Sequence, residues 1–154
     1  MTFPPDALHI RDADEHDLAA ILALTRADSL RPDTDHELTS NERAAFDDID
    51  ADPNQQLLVA TLEDRVVATA HVTWIRTLSA NGGLYCQVEG VRTASDLRGR
   101  GIGARLMAAV EDEARRRGAA RLQLTSNRRR RDAHRFYERL GYQPSHVGMK
   151  KYLS

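Results

Sequence analysis

Arg98-Gly99-Arg100-Gly101-Ile102-Gly103-Ala104 sets three glycines and two arginines at the mouth of a helix-like pattern. Downstream, Ile102, Leu106, Ala109, Val110 and Ala114 recur at helical spacing, and Gly118 follows the basic run Arg115-Arg116-Arg117 as a stop signal. Upstream, Tyr85 to Val91 reads as a strand. A strand, a glycine-rich turn and a helix together aim free backbone N–H groups at a phosphate. The first amides of a helix have no internal partner, and the macrodipole adds roughly half a positive charge there. Glycine lets the backbone approach without a side chain in the way. Residues 98–104, with Arg98, Gly99, Arg100, Gly101, Gly103 and Ala104 as contacts, are therefore expected to bind a phosphate-bearing cofactor.

The residues around each glycine narrow the kind of cofactor. A nucleotide P-loop ends in Gly-Lys-Ser/Thr, whereas this loop runs on as Gly103-Ala104-Arg105. Gly99, Gly101 and Ala104 do satisfy the dinucleotide pattern G-x-G-x-x-G/A. Its context fails, because the next strand, Arg121 to Asn127, ends without an acidic residue for a ribose. Too little chain remains, moreover, for the second half of a doubly wound sheet. A plain tight turn is the bland alternative.

Other residues offer acid–base chemistry. If Cys86 and Val88 face one way along their strand, Tyr85, Gln87 and Glu89 face the other, so the Glu89 carboxylate can open on a cleft. His71, on a neighbouring strand, has an ordinary pKa suited to a general base. Either is equally readable as a plain strand residue. Gly90, in mid-strand, marks a bulge. Ala133, Phe136, Tyr137 and Leu140 fall on one helix face, so periodicity alone reads Tyr137 as core. The histidines lack ligand spacing and the single cysteine has no partner, so no metal site is expected.

Arg98-x-x-Gly101-x-Gly103 resembles the Gln/Arg-x-x-Gly-x-Gly/Ala signature of the Gcn5-related N-acetyltransferase (GNAT) family. Glu89-x-Val91-x-Thr93 resembles that family's fourth strand, and Ala133 to Tyr142 its Ala-x-x-Phe-Tyr-x-x-x-Gly-Phe segment. The ending Ser145 to Lys150 is similar to that of small members. The detailed resemblance covers residues 84–154, while the first half matches only in its order of elements. It implies an acetyl-CoA-dependent N-acetyltransferase with the pyrophosphate on the glycine loop. Val91 and Thr93 would pair by backbone with the pantetheine arm, and Asn127 would touch the cofactor or else serve as a loop cap. Tyr137 would be the general acid for the leaving thiolate, and Glu89 the base acting through water, with His71 as runner-up. A phenol near pKa 10 protonating a thiolate near 8.5 is uphill by about 2 kcal/mol, tolerable within a bound complex. Cys86 lies mid-strand with no histidine nearby in sequence, so direct transfer in a ternary complex is expected rather than a covalent carrier. The rival is a non-catalytic acetyl-CoA-binding sensor, which would keep the glycine loop but not need Glu89 or Tyr137.

The elements that must hold these residues are legible around them. Leu8 to Arg11 is a short strand, and Asp14 caps a helix carrying Leu18, Ile21 and Leu22. A polar loop from Ser29 to Asn41 precedes a weaker helix through Glu42 to Phe46. Leu57 to Leu62 and Val66 to Ile75 form an antiparallel pair around Glu63-Asp64-Arg65. After Asn81-Gly82-Gly83 come the strand ending near Thr93, the long helix, a fifth strand, a last helix and a final strand from about His146. The order β-α-α-β-β-β-α-β-α-β is an α/β, GNAT-like mixed sheet with a central parallel pair splayed at the cofactor site.

At 154 residues, 41% hydrophobic and 29% charged, the chain reads as a single globular domain over 1–154. Its formal net charge of -1 gives no bulk attraction to nucleic acid or membrane. The run Arg128 to Arg131 has no aromatic stacking pattern beside it and reads first as a solvated loop, with a contact to the cofactor's 3′-phosphate next. One cysteine and no leader-like N-terminus suit a reducing cytoplasm. The expected acceptor is a small-molecule primary amine, with a peptide or protein amine as the alternative and a homodimer left open. Asp28, Asp33, Asp35 and Glu37 in or beside the Ser29 to Asn41 loop favour a cationic amine if they are not simply solvated. The similarity of Asn127 to Met149 to aminoalkylphosphonate acetyltransferases keeps an anionic amine open.

Overall fold

The computed structural model describes residues 7–27 and 37–153. Its sheet has five strands in sequence order, β1 (Leu8–Asp12), β2 (Gln55–Leu62), β3 (Arg65–Arg76), β4 (Leu84–Thr93) and β5 (Ala119–Leu124). The first three pairings are antiparallel and the last, β4 with β5, is parallel. Strands β2 and β3 are joined by Glu63 and Asp64 at φ 49° and 63°. Left-handed conformations at both central positions match the right-handed twist of the flanking strands. The antiparallel β3–β4 step rules out the doubly wound dinucleotide fold.

The helices are α1 (Leu18–Ala27), α2 (Ser40–Ala51), a one-turn α3 (Ser79–Gly82), α4 (Ile102–Arg116) and α5 (Arg131–Arg139). Alternate residues of the strands feed two apolar clusters. Val59 joins Leu18, Ile21 and Phe46 under α1 and α2. Leu58, Ala60, Ala70, Val72, Cys86 and Val88 join Ile102, Leu106, Met107 and Val110 of α4. Leu106 and Val110 are fully buried, and truncating such a leucine to alanine costs about 2–5 kcal/mol. Thus α4 is pinned by its apolar stripe, and its first turn is carried to the end of β4.

Three boundaries differ from the sequence expectation. Helix α2 starts at Ser40 and runs to Ala51, because Thr39 and Glu42 form a reciprocal capping box that the polar composition of the preceding loop conceals. Strand β5 ends at Leu124 rather than Asn127, so Asn127 falls in the following turn. The strand expected from His146 is absent, since residues 142–153 carry no strand pairing. Alternation is only half of what a strand needs, and this segment has no neighbouring ladder in its own chain. Most of the Ser29 to Asn41 loop, including Asp33 and Asp35, lies outside the described residues, as does Asp28.

Candidate active site

The pairing of β4 with β5 runs from Leu84↔Ala119 to Val88↔Leu124 and stops there, while β4 continues to Thr93. Beyond that point the parallel pair is open. The other edge of β4 is irregular at the same place. Between the pairs His71↔Glu89 and Thr69↔Arg92, β4 carries one more residue than β3, with Gly90 at φ 61°. This is the bulge that a mid-strand glycine signals. Val91 and Thr93 therefore lie on a strand stretch without a β5 partner, next to a kink that re-aims its backbone.

From Thr93 the chain turns through Ala94 to Arg98 into the glycine loop. Gly99 and Gly101 stand at φ 75° and 82°, a region that L side chains rarely adopt. A Cβ at either would meet nothing within 4 Å, so the space above the turn is open. Gly101 is the N-cap of α4 and no side chain caps it. The first intrahelical bond is Arg105 N–H to the Gly101 carbonyl at 3.0 Å, which leaves the amides of Ile102, Gly103 and Ala104 free of helical partners. A Cβ on Gly103 would stand 3.3 Å from Phe136 Cζ and 3.4 Å from Thr93 Oγ1. Gly103 thus locks α4 against β4 and α5. Uncapped amides, open glycines and an unpaired strand are together suited to an extended ligand that carries a phosphate.

The candidate acid–base residues sit on two sides of this opening. His71 and Glu89 are cross-strand neighbours, directly opposite in the β3–β4 register. Glu89 is exposed, while His71 is half-buried and shares a 2.9 Å hydrogen bond between its Nε2 and Gln55 Oε1. Burial holds the His71 imidazole below its ordinary value, and the Glu89 carboxylate pulls it partly back. A neutral imidazole next to a carboxylate can accept a proton near neutral pH. Sequence reasoning named both residues but did not foresee their pairing, nor Gln55, whose polar side chain at the start of β2 gave no distinguishing signal.

Tyr137 packs edge-on against Phe136 (5.1 Å between centroids) and Tyr142 (5.6 Å), half-buried at the margin of the larger cluster. Burial pushes its phenol above the ordinary value, and the charges of Arg130 and Arg92 pull against that shift. Arg92 lies opposite Thr69, and so on the same face of β3–β4 as His71 and Glu89. It was not singled out in the sequence because it read as one more residue of a strand. Asn127 Oδ1 accepts the Arg129 amide at 2.9 Å, which makes Asn127 a loop cap in this structure. Arg128 and Arg129 occupy the exposed turn and Arg131 opens α5. Arg98 reaches back to the Thr93 carbonyl at 3.4 Å. Cys86 is fully buried, and burial pushes its thiol up to about 12. Among the described residues no helix is long and apolar enough to cross a membrane.

Comparison with known proteins places the fold. Residues 18–142 match the model of the acetyltransferase (GNAT) family. The fold superposes on a transcriptional regulator from Bacillus halodurans C-125 with TM-score 0.86 and 36% identity, over 95% of this chain and 99% of that one. It superposes on a putative acetyltransferase from Agrobacterium tumefaciens with TM-score 0.83 and 30% identity, over 94% and 99% of the two chains. A curated aminoalkylphosphonate N-acetyltransferase of Salmonella typhimurium is 51% identical over 57 residues, which are 37% of this chain and 37% of that protein.

Proposed function

The chain belongs to the acetyltransferase (GNAT) family, a family of acyltransferases, and from that premise we propose that it moves an acetyl group from acetyl-CoA to the primary amine of a small molecule. One observation carries the reading. The β4–β5 pairing ends after Val88, the Gly90 bulge follows, and the uncapped start of α4 lies at the far end of the same strand. Acetyl-CoA supplies an activated thioester. The amides of residues 102–104 hold its pyrophosphate, and the backbone of Val91 and Thr93 extends along the pantetheine arm as an added strand would. Glu89, through water, takes a proton from the amine, with His71, its cross-strand neighbour, as the alternative. Tyr137 gives its phenolic proton to the departing sulfur, so the proton count closes across the two halves of the cleft. The buried, protonated Cys86 is unsuited to carry the acyl group, which supports direct transfer.

Two features bear on the acceptor. The Salmonella relative is named for acetylating aminoalkylphosphonates, and Arg92 gives the Glu89 face a guanidinium. Both favour an amine with an anionic end over the cationic amine suggested by the acidic loop. The regulator among the similar structures keeps a second reading in view, a sensor that binds acetyl-CoA without turning it over. Calorimetry with acetyl-CoA and with NAD, followed by thiol release on a panel of aminoalkylphosphonates, amino acids, polyamines, aminoglycosides and N-terminal peptides, tests all of this. Release with small anionic amines is the expected result. Binding of NAD alone would overturn the family role, and binding without release on any acceptor would favour the sensor.

A further inference from the structure

Resting on the transfer to an amine proposed above, we infer that Asp52 and Gln55 are positioning residues for His71. They hold its ring proton on Nε2, so that His71 takes the proton of the acceptor amine at Nδ1. Three side chains run in a line from the end of α2 to the middle of β3. Asp52, the C-cap of α2, accepts at Oδ2 from Gln55 Nε2 at 3.0 Å. Gln55 Oε1 in turn lies 2.9 Å from His71 Nε2. Gln55 pairs with Thr73 and Leu57 with His71, so Gln55 and His71 are diagonal neighbours on one face of β2–β3.

Chemistry fixes the direction of each bond in this line. An ionised carboxylate only accepts. The Asn54 amide, 2.9 Å from Asp52 Oδ1, and the Gln55 side chain hold the Asp52 carboxyl below the ordinary carboxylate range, so it is ionised near neutral pH. Gln55 must therefore turn its NH2 toward Asp52 and its carbonyl oxygen toward His71. That oxygen also only accepts, which makes His71 Nε2 the donor. In a neutral imidazole the other nitrogen is then bare. Burial keeps the ring neutral, and Nδ1 has no hydrogen-bond partner among the described residues.

As the amine attacks, its proton passes to Nδ1, and the ring becomes an imidazolium with an N–H on each nitrogen. The Nε2 proton stays on Gln55 throughout, so Asp52 and Gln55 act by orientation alone. Two charged groups of β4 share this face. Glu89, directly across, favours the imidazolium, while Arg92, opposite Thr69, carries the like charge.

Asp52→Asn separates this relay from a merely structural contact. Its Oδ1 can keep the Asn54 amide, but an NH2 then replaces Oδ2 toward Gln55. The Gln55 amide must flip, present its own NH2 to Nε2, and drive the His71 proton to Nδ1. Two-bond proton–nitrogen spectra of the full, nitrogen-15-labelled chain read which ring nitrogen is protonated, and His71→Asn identifies the signal among the six histidines. The unaltered chain should show Nε2–H and Asp52→Asn Nδ1–H. Gln55→Met, which keeps the side-chain length but removes the amide, should show a mixture. Thiol release by Asp52→Asn should fall by up to about 10²-fold in kcat/KM, with acetyl-CoA affinity unchanged. An Nδ1–H signal in the unaltered chain, a signal unmoved by both variants, or a reversed signal with unchanged kcat/KM would overturn the inference. No thiol release from the unaltered chain with any acceptor would instead overturn the acetyl transfer, and with it the part given to Nδ1, while the spectra still decide the relay.

Discussion

In the half of the molecule built from β1 to β3, the helical starts are closed by side chains. Asp14 accepts the His16 amide and receives reciprocal closure from Asp17, while Thr39 and Glu42 do the same for α2. Asp17 is buried, and burial alone would raise its carboxyl. The Arg11 guanidinium at 2.6 Å and the Asp14 amide instead hold it below the ordinary carboxylate range. In the half built from β4 and β5, helices α4 and α5 begin without any side-chain cap, on a left-handed glycine and on Arg130. The strand pairing there also stops short. The same backbone groups that the first half satisfies internally are, in the second half, left to be satisfied from outside. Capped helix starts mark the scaffold, and uncapped ones lie at the candidate site.

The sharpest way to break this contrast is Gly101→Val. A β-branched residue is strained at φ 82° and would fill the open space over the amides. Acetyl-CoA binding by calorimetry should be lost, while the dichroism of the fold persists. Normal binding would place the phosphate site elsewhere.

Next in size is Tyr137→Phe, which keeps the ring and its packing on Phe136 and Tyr142 but deletes the hydroxyl. Turnover should fall by about 10²- to 10⁴-fold with little change in melting temperature. Unchanged single-turnover rates would return Tyr137 to the core.

A smaller loss, about 10²-fold in kcat/KM, is expected for Glu89→Gln. The pH profile sharpens the assignment. An acidic limb below the ordinary histidine value of 6.5 that vanishes in His71→Asn would make His71 the base. The sign for stability is fixed by the same shift. Because the folded-state value is depressed, the unfolded chain binds the proton first as pH falls, so stability declines as pH drops below 6.5 and is fully present above it.

The mildest change falls on the other side of the comparison. Asp14→Ala should cost about 1 kcal/mol in denaturant unfolding and leave acetyl-CoA affinity unchanged. An affinity loss would couple scaffold to site and weaken the contrast.

How much of this was legible in the chain depends on the range of each interaction. The glycine turn that opens α4, the Asp14 cap, the long α4 stripe and the Gly90 bulge are local signals, set by residues a few positions apart, and as backbone features they are where the sequence places them. The Thr39–Glu42 box was equally local and was passed over because it sits at the end of a polar stretch. The His71–Glu89 pair, the Gln55 contact and the position of Arg92 depend on β3–β4 register, which the bulge itself shifts by one residue. The missing last strand is the clearest limit. Period-two alternation specifies a face but not a neighbour, and no residue between His146 and Leu153 says which edge it should meet.

The buried Cys86 has a practical consequence. It is the chain's single thiol, fully covered and held protonated far above neutral pH, so the native fold is silent toward thiol reagents. A colorimetric count of free sulfhydryls during turnover would register coenzyme A alone, with no protein background to subtract. For the same reason a cysteine introduced on the tail or at the glycine loop would be the one reactive handle on the molecule, and a fluorophore could be placed there with the wild-type residue left untouched.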